Sequence, residues 1–434
     1  MGMGRGYNII FTILFVLMLI LFYAVFSEGS QDSLSLLSKL DSSEDELRDI
    51  DLTIGKRKYT YEEERIVYND QGRITSINKI RLTDSERQIA LQLLNLDTGA
   101  TEIIKITKRG GQLISPHGYE IKVVKRINGI EWNGRNTHFK VIAPSSTIVL
   151  KIAWPNEATR IVEKRTVKKN GKKTIIRKSE KYIENIVYSP YSTDDPNTSS
   201  EIELGIHTPE TSSAGAEDLE NIFKMACQIL GDRGVMSKAF PQYIVCELPF
   251  LNLVDYQRLL LIEQMDESEF YLDPLKTAER VLVILRANRQ RAFTTCNSSK
   301  PSRACGPVQF TDRWRGKNPG TYSTVVRSFP SAKLIKSFPA GAFDHVNSAM
   351  AAILLHDLNL RYLVSKFGER IVWDHTILVG ALAGCYNGNP KWTYLSLEEY
   401  FSGKINDWVN SKYLRPETRG YLVKHEYLME NDLP

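Results

Sequence analysis

LLLIEQMDESEFY, from Leu259 to Tyr271, decides how the second half of the chain is read. Leu259, Leu260, Leu261 and Ile262, with Met265 close behind, describe an apolar helix, and Asp266, Glu267 and Glu269 crowd its end. A helix C-terminus carries partial negative charge, and apolar walls lower the local dielectric. Both disfavour ionisation and raise a carboxyl pKa. A carboxylic acid that stays protonated near neutral pH is what glycosidic cleavage needs to protonate its leaving oxygen. Three further stretches follow in order. ACGPVQFT (Ala304–Thr311) is a Gly-Pro turn followed by glutamine and an aromatic. NSAMAAILLHDL (Asn347–Leu358) is a small-residue helix able to pack closely. AGCYNGNP (Ala383–Pro390) is a helix end breaking into a polar turn.

Taken together, these four stretches resemble the lytic transglycosylases of the soluble-lytic-transglycosylase type and their relatives, the goose-type lysozymes. The family shows Glu-Ser and an aromatic at a helix end, then Gly-Leu-Met-Gln, an Asn-containing helix with alanines, and Ala-Tyr-Asn-Ala-Gly. The counterparts here are Glu267-Ser268 with Phe270, Gly306-Pro-Val-Gln309, Asn347 with Ala351, and Cys385-Tyr386-Asn387-Gly388. Pro307-Val308 stands where the family has Leu-Met, and the gap from Glu267 to Gly306 is longer than the family's usual spacing. The resemblance implies a lysozyme-like, mainly α domain that cleaves the MurNAc–GlcNAc bond of peptidoglycan glycan strands without a cofactor. One glutamate, Glu267, would act first as acid and then as base while the sugar's own 6-hydroxyl attacks, leaving 1,6-anhydro ends. Glu269 is the alternative acid. Ser268, Gly306, Gln309, Phe310, Asn347, Tyr386 and Asn387 would bind substrate or support the acid. The rival outcomes are a lysozyme-type muramidase and a non-catalytic envelope scaffold.

Around these stretches, period-3.6 patterns predict helices over Ala216–Gly231, Asp255–Glu267, Pro274–Arg291, Asp344–Lys366 and Trp373–Cys385. Upstream, Tyr59-Thr-Tyr, Arg65-Ile-Val-Tyr, Ile103-Ile-Lys-Ile-Thr and Lys140-Val-Ile-Ala read as strands separated by Gly-containing turns. Asp84–Leu94 reads as a helix interrupting them. Glu163–Lys181 holds nine Lys/Arg and two Glu around Asn170-Gly171, a two-residue hairpin signal. It serves either as a basic finger for an acidic polymer or envelope partner, or as a solvated hairpin whose lysines deter edge pairing.

Tyr7–Phe26 is twenty residues without a charge, with Arg5 before it and acids after it. It predicts a membrane-spanning anchor with the N-terminus inside; a cleaved signal peptide is the other reading. Either way the remainder is exported, to a periplasmic or extracytoplasmic position at the inner (cytoplasmic) membrane. The expected fold class is thus α+β multidomain. It comprises an N-terminal transmembrane helix (1–27), a polar tether (28–57), a β-rich domain (58–188), a linker (189–215) and a lysozyme-like domain (216–434).

Lysine plus arginine (56) exceeds aspartate plus glutamate (51) by five, so no global basic field marks a nucleic-acid partner. His345, His356 and His375 form no H-E-x-x-H or other metal set. Cys296 with Cys305, and Cys227 with Cys246, could bridge in an oxidising exterior or remain buried thiols; Cys385 is left over.

Overall fold

The computed structural model describes residues 36–40, 44–68, 74–124, 138–169, 172–189, 206–296, 304–312 and 320–434. They divide into two compact units, split in sequence between Thr211 and Ser212.

The first unit is a short helix, α1 (Glu44–Asp49), followed by strands β1 (Ile54–Tyr68), β2 (Ile74–Asn95), β3 (Thr101–Arg109), β4 (Gln112–Ile114), β5 (Glu120–Val124), β6 (His138–Ala143), β7 (Thr147–Lys169) and β8 (Lys172–Tyr188). A six-stranded antiparallel sheet runs β4-β3-β2-β7-β8, with β1 paired to β2, while β5 and β6 form a separate hairpin. The expected helix over Asp84–Leu94 is corrected: these residues are strand, in β2. Strand periodicity places Ile89, Leu91 and Leu93 in one buried cluster, with Ile104, Ile106, Phe139, Val149, Ile152 and Trp154. The alternate residue Ala90 packs on the other face with Leu47, Leu52, Ala153 and Val187. A strand covered on both faces loses its polar alternation, which is why it resembles a helix in sequence. The segment read as a tether contributes α1 and Leu52 to that second face. The basic hairpin has the register its turn requires, Lys169 opposite Lys172 and Val167 opposite Thr174, with Asn170 and Gly171 outside the described residues.

Lys108 is fully buried in this sheet and is ion-paired to Asp84, which also meets Arg87 at 3.1 Å and the Ser85 N–H at 2.7 Å. Burial works to raise the Asp84 pKa, but Lys108 and Arg87 hold it below the ordinary carboxylate value.

The second unit is built from helices α2 (Pro209–Asp232), α3 (Leu253–Gln264), α4 (Glu267–Phe270) and α5 (Pro274–Asn288), then the two-residue strands β9 (Ala304–Cys305) and β10 (Phe310–Thr311). Helices α6 (Thr321–Ser328), α7 (Ala340–Phe343), α8 (His345–Phe367), α9 (His375–Asn387), α10 (Pro390–Phe401) and α11 (Pro416–Glu430) complete it. Helix α2 begins within the segment read as linker, and α3 ends at Gln264, short of the expected Glu267. Asp273, Asp344, Asp374 and Asn389 cap α5, α8, α9 and α10 by accepting backbone N–H groups. Helix α8 packs against α3, α6, α7, α9 and α10, and its buried Ala349, Ala351 and Ala352 keep side-chain bulk low along it.

The expected fold class is corrected. The chain is mixed α/β with a large antiparallel sheet, and among the described residues no helix is long and apolar enough to cross a membrane. The longest ones, α2 and α8, carry Glu217, Asp218, Glu220 and Lys224, and Asp357, Arg361 and Lys366, respectively. The expected anchor Tyr7–Phe26 lies outside the described residues.

Candidate active site

Helix α3 is started by Asp255, whose carboxylate accepts the Asn252 N–H at 2.7 Å, and is driven inward by Leu259, Leu260, Leu261 and Ile262, all buried. Glu263 follows these four residues on the last turn. Burial, reinforced by the nearby negative charge of Glu417, pushes its pKa up to about 8, against the opposing pull of Tyr421 and Lys424. Among the described residues it has no salt-bridge partner. It is protonated at neutral pH and near the point of releasing its proton, the condition a general acid requires.

Three other segments converge on this end of α3. The neighbouring residue Gln264 donates through Nε2 to the carbonyls of Pro307 at 2.7 Å and Gly306 at 3.3 Å, fastening the Gly306–Gln309 turn to the helix. Gly306 lies at φ +81°, and a Cβ there would sit 1.8 Å from the Ala342 carbonyl oxygen, so only glycine fits. The turn closes the β9–β10 hairpin, which a Cys296–Cys305 disulfide ties to the preceding chain. From α9, Tyr386 donates its hydroxyl to the Val308 carbonyl at 2.6 Å, and burial, with the Glu263 charge adding to it, raises its pKa. From α11, Tyr421 and Lys424 complete the cluster. The buried Tyr421 hydroxyl faces Glu263 but makes no well-formed hydrogen bond. Lys424 donates to the Met265 carbonyl at 2.7 Å, and burial depresses its pKa despite Glu267, Asp266 and Glu263 nearby. His356, whose ring lies 5.9 Å from that of Tyr386, is held neutral by burial, its pKa lowered to about 3.

The residues singled out in sequence divide into those at this cluster and those beside it. Phe310 is buried, edge-on to Tyr386 at 6.3 Å and to Tyr322 at 5.5 Å. Gln309, in the left-handed conformation at φ +48°, folds its side chain back to the Gly306 carbonyl at 2.7 Å. Asn387 accepts the Thr418 hydroxyl at 3.0 Å, linking α9 to α11. Asn347 is 3% exposed, and its Nδ2 donates to the Tyr322 hydroxyl and the Gly341 carbonyl while its Oδ1 accepts the Ile335 N–H. These bonds make it a structural bolt. Glu267 is exposed at the start of α4, with Ser268 beside it in the chain. Glu269 is ion-paired with Arg280, both side chains largely buried.

Sequence reasoning does not single out Glu263, Tyr421 or Lys424. The first stands in the chain as a lone acid behind leucines, with nothing local to separate it from any other helix residue. The other two lie beyond residue 392, where the matched motifs end.

The two pairings open to the cysteines, Cys227–Cys246 and Cys296–Cys305, are both disulfides, and Cys385 is a buried free thiol. Among the described residues no group of three His, Cys, Asp or Glu side chains could hold a metal ion. No family model matches the chain, and neither a curated protein nor a solved structure shows significant similarity to it.

Proposed function

We propose that the chain is a peptidoglycan lytic transglycosylase whose catalytic acid is Glu263. The observation that carries this reading is the convergence at Glu263 of three of the four motif segments. The end of α3, the Gly306–Gln309 turn and Tyr386 are joined there by the Gln264 and Tyr386 hydrogen bonds. On this reading Glu263 takes the role the motif match alone assigns to Glu267, four residues on and across the break between α3 and α4.

The protonated Glu263 carboxyl donates its proton to the leaving glycosidic oxygen as the C–O bond breaks. The resulting carboxylate then accepts the proton of the sugar's 6-hydroxyl as that oxygen closes on the anomeric carbon, which restores the acid and leaves a 1,6-anhydro end. Gln264, through the turn, sets the position of the substrate-facing backbone. The Tyr421 hydroxyl, lacking a well-formed partner, is available to steady the carboxylate while it is charged. The two disulfides support an oxidising, extracytoplasmic site of action.

The test is digestion of purified peptidoglycan by the full chain with mass spectrometry of the products. Anhydro ends are expected from the wild type and from Glu267→Gln, and none from Glu263→Gln. Hydrated reducing ends would identify a hydrolase instead. No cleavage by the wild type would leave the envelope-scaffold reading.

A further inference from the structure

A cavity of the helical unit, of about 650 Å³, is lined by residues from α2 and just past it, the segment after α5, and the segments around α7 and the start of α8. Glu263, Tyr386, Tyr421 and Gln309 take no part in it. Its walls are mixed: Met225, Ile229, Ile335 and Phe343 are apolar, with Met225 and Ile335 exposed, and Gln290, Thr294, His345 and Asn347 add polar groups. At its edge stand two cations. Arg233 donates through Nη1 to the Ala332 carbonyl, and Lys333 is the next residue, so both belong to the same edge of the cavity. Lys333 itself is held in the left-handed backbone region, φ +49° and ψ +41°, a conformation a side-chain-bearing residue rarely adopts. Neither cation forms an ion pair with a carboxylate among the described residues. An anion bound at this edge would be drawn by both exposed charges.

We propose that this cavity is a binding site for a short peptide held through its terminal carboxylate by Lys333 and Arg233. The volume falls within the range of about 300–1,000 Å³ found for small-ligand sites. A carboxylate answers the two cations, and guanidinium recognises it with paired N–H groups. The flexible methionine and branched aliphatic part of the wall suits the apolar side chains of a peptide, and the polar part suits its amides. Asp344, also in the lining, accepts the Asn347 N–H through Oδ1 and keeps a second oxygen for an amide or amine N–H. The identity of the peptide rests on the function proposed above. There it would be the stem that a peptidoglycan strand carries, so the cavity would read the substrate's peptide while Glu263 cuts its glycan.

Calorimetry with the full chain tests this directly, using the stem tetrapeptide freed of sugar, the same peptide amidated at its C-terminus, and propionate as the bare carboxylate. Saturable binding of the free acid is expected, with at least tenfold weaker binding of the amide and of propionate. The double variant Arg233→Ala/Lys333→Ala should lose at least tenfold while Lys336→Ala, an exposed neighbour, changes nothing. Absent binding, equal affinity for acid and amide, equal affinity for propionate, or an unaffected double variant each overturn the proposal. The readout is independent of cleavage. Binding by a chain that leaves peptidoglycan intact defeats the enzyme reading and spares the site, and cleavage without binding does the reverse.

Discussion

Asp84 in the sheet unit and Glu263 in the helical unit are both carboxylic acids enclosed by protein with a lysine nearby, yet the fold moves them in opposite directions. Asp84 receives the Lys108 ammonium directly, Arg87 at 3.1 Å and a backbone N–H at 2.7 Å, so its charge is fully answered. Around Glu263 the nearby ammonium, Lys424, donates instead to a backbone carbonyl, and its field is shared with Glu267 and Asp266. Glu417 adds a repelling charge. The difference is one of partner geometry. A buried acid whose partners are directed at it stays charged and braces the fold; one whose partners are directed elsewhere keeps its proton and can give it away.

The largest test of that contrast is Glu263→Gln, which should lower glycan cleavage by about 10²–10⁴-fold, the contribution of a positioned general acid. The same variant should be more stable than the wild type at pH 8 and equal to it near pH 4. A carboxyl whose folded pKa is raised to about 8 from its ordinary 4.5 destabilises the fold progressively as pH rises between those values. At about 1.4 kcal/mol for each pH unit separating the two, the effect is a few kcal/mol, readable as a melting temperature that rises relative to wild type with pH. Activity of the wild type should fall as pH passes about 8 and the acid loses its proton. An activity loss confined to Glu267→Gln would break the contrast at its centre.

In the sheet unit the corresponding break is Lys108→Met. Removing one partner of a buried ion pair costs about 3–5 kcal/mol, because Asp84 is left charged without its main counter-ion. The sign with pH is opposite to that of Glu263. Asp84 has a depressed pKa, so its stabilisation is present above the ordinary carboxylate range and is lost as pH falls through the lower folded value. Chemical denaturation of wild type and variant should therefore converge in strong acid, while glycan cleavage per folded molecule stays unchanged. A variant as stable as wild type at pH 7 would show that the pair is not needed.

The disulfide beside the turn gives a smaller effect. The double variant Cys296→Ser/Cys305→Ser should lose about 2–3 kcal/mol of stability, the range for a short closed loop. Cleavage should fall more than folding does, by about tenfold, because the turn that Gln264 and Tyr386 hold would lose its covalent tie to the preceding chain. Circular dichroism alongside the cleavage assay separates the two, and equal activity would show that the hydrogen bonds alone position the turn.

Much of this arrangement is legible in the chain, but unevenly. The helices on either side of the site follow from periodicity and capping residues such as Asp273 and Asp344, which act locally. The β2 strand is not legible as a strand from Asp84 to Leu94, because its apolar pattern answers to two faces covered by distant residues, Phe139 on one side and Leu47 on the other. The site shows the same division. Gly306 and Tyr386 are visible because each sits in a short local pattern, a tight turn and a helix end, although the contacts that fix them, to Ala342 and Val308, are distant. Which of several acids is buried depends on α11, more than 150 residues away: Lys424 bonds the Met265 carbonyl across a separation of 159 residues. Glu267 and Glu263 differ in what the fold lays over them, and local sequence carries no record of that.

The smallest effect, and the finest probe of the opening contrast, comes from Lys424. Its charge pulls the Glu263 pKa down against burial, so Lys424→Met should move the alkaline limb of the pH–activity profile upward, with cleavage at pH 6 to 7 within about threefold of wild type. Lys424→Arg retains the charge and should restore the wild-type limb even if its bond to the Met265 carbonyl is strained. A purely structural lysine would lower activity equally at every pH and would leave the limb where it was in both variants. A downward shift in Lys424→Met would mean that the lysine helps Glu263 hold its proton, and the acid's environment would then resemble that of Asp84 less than its shared chemistry suggests.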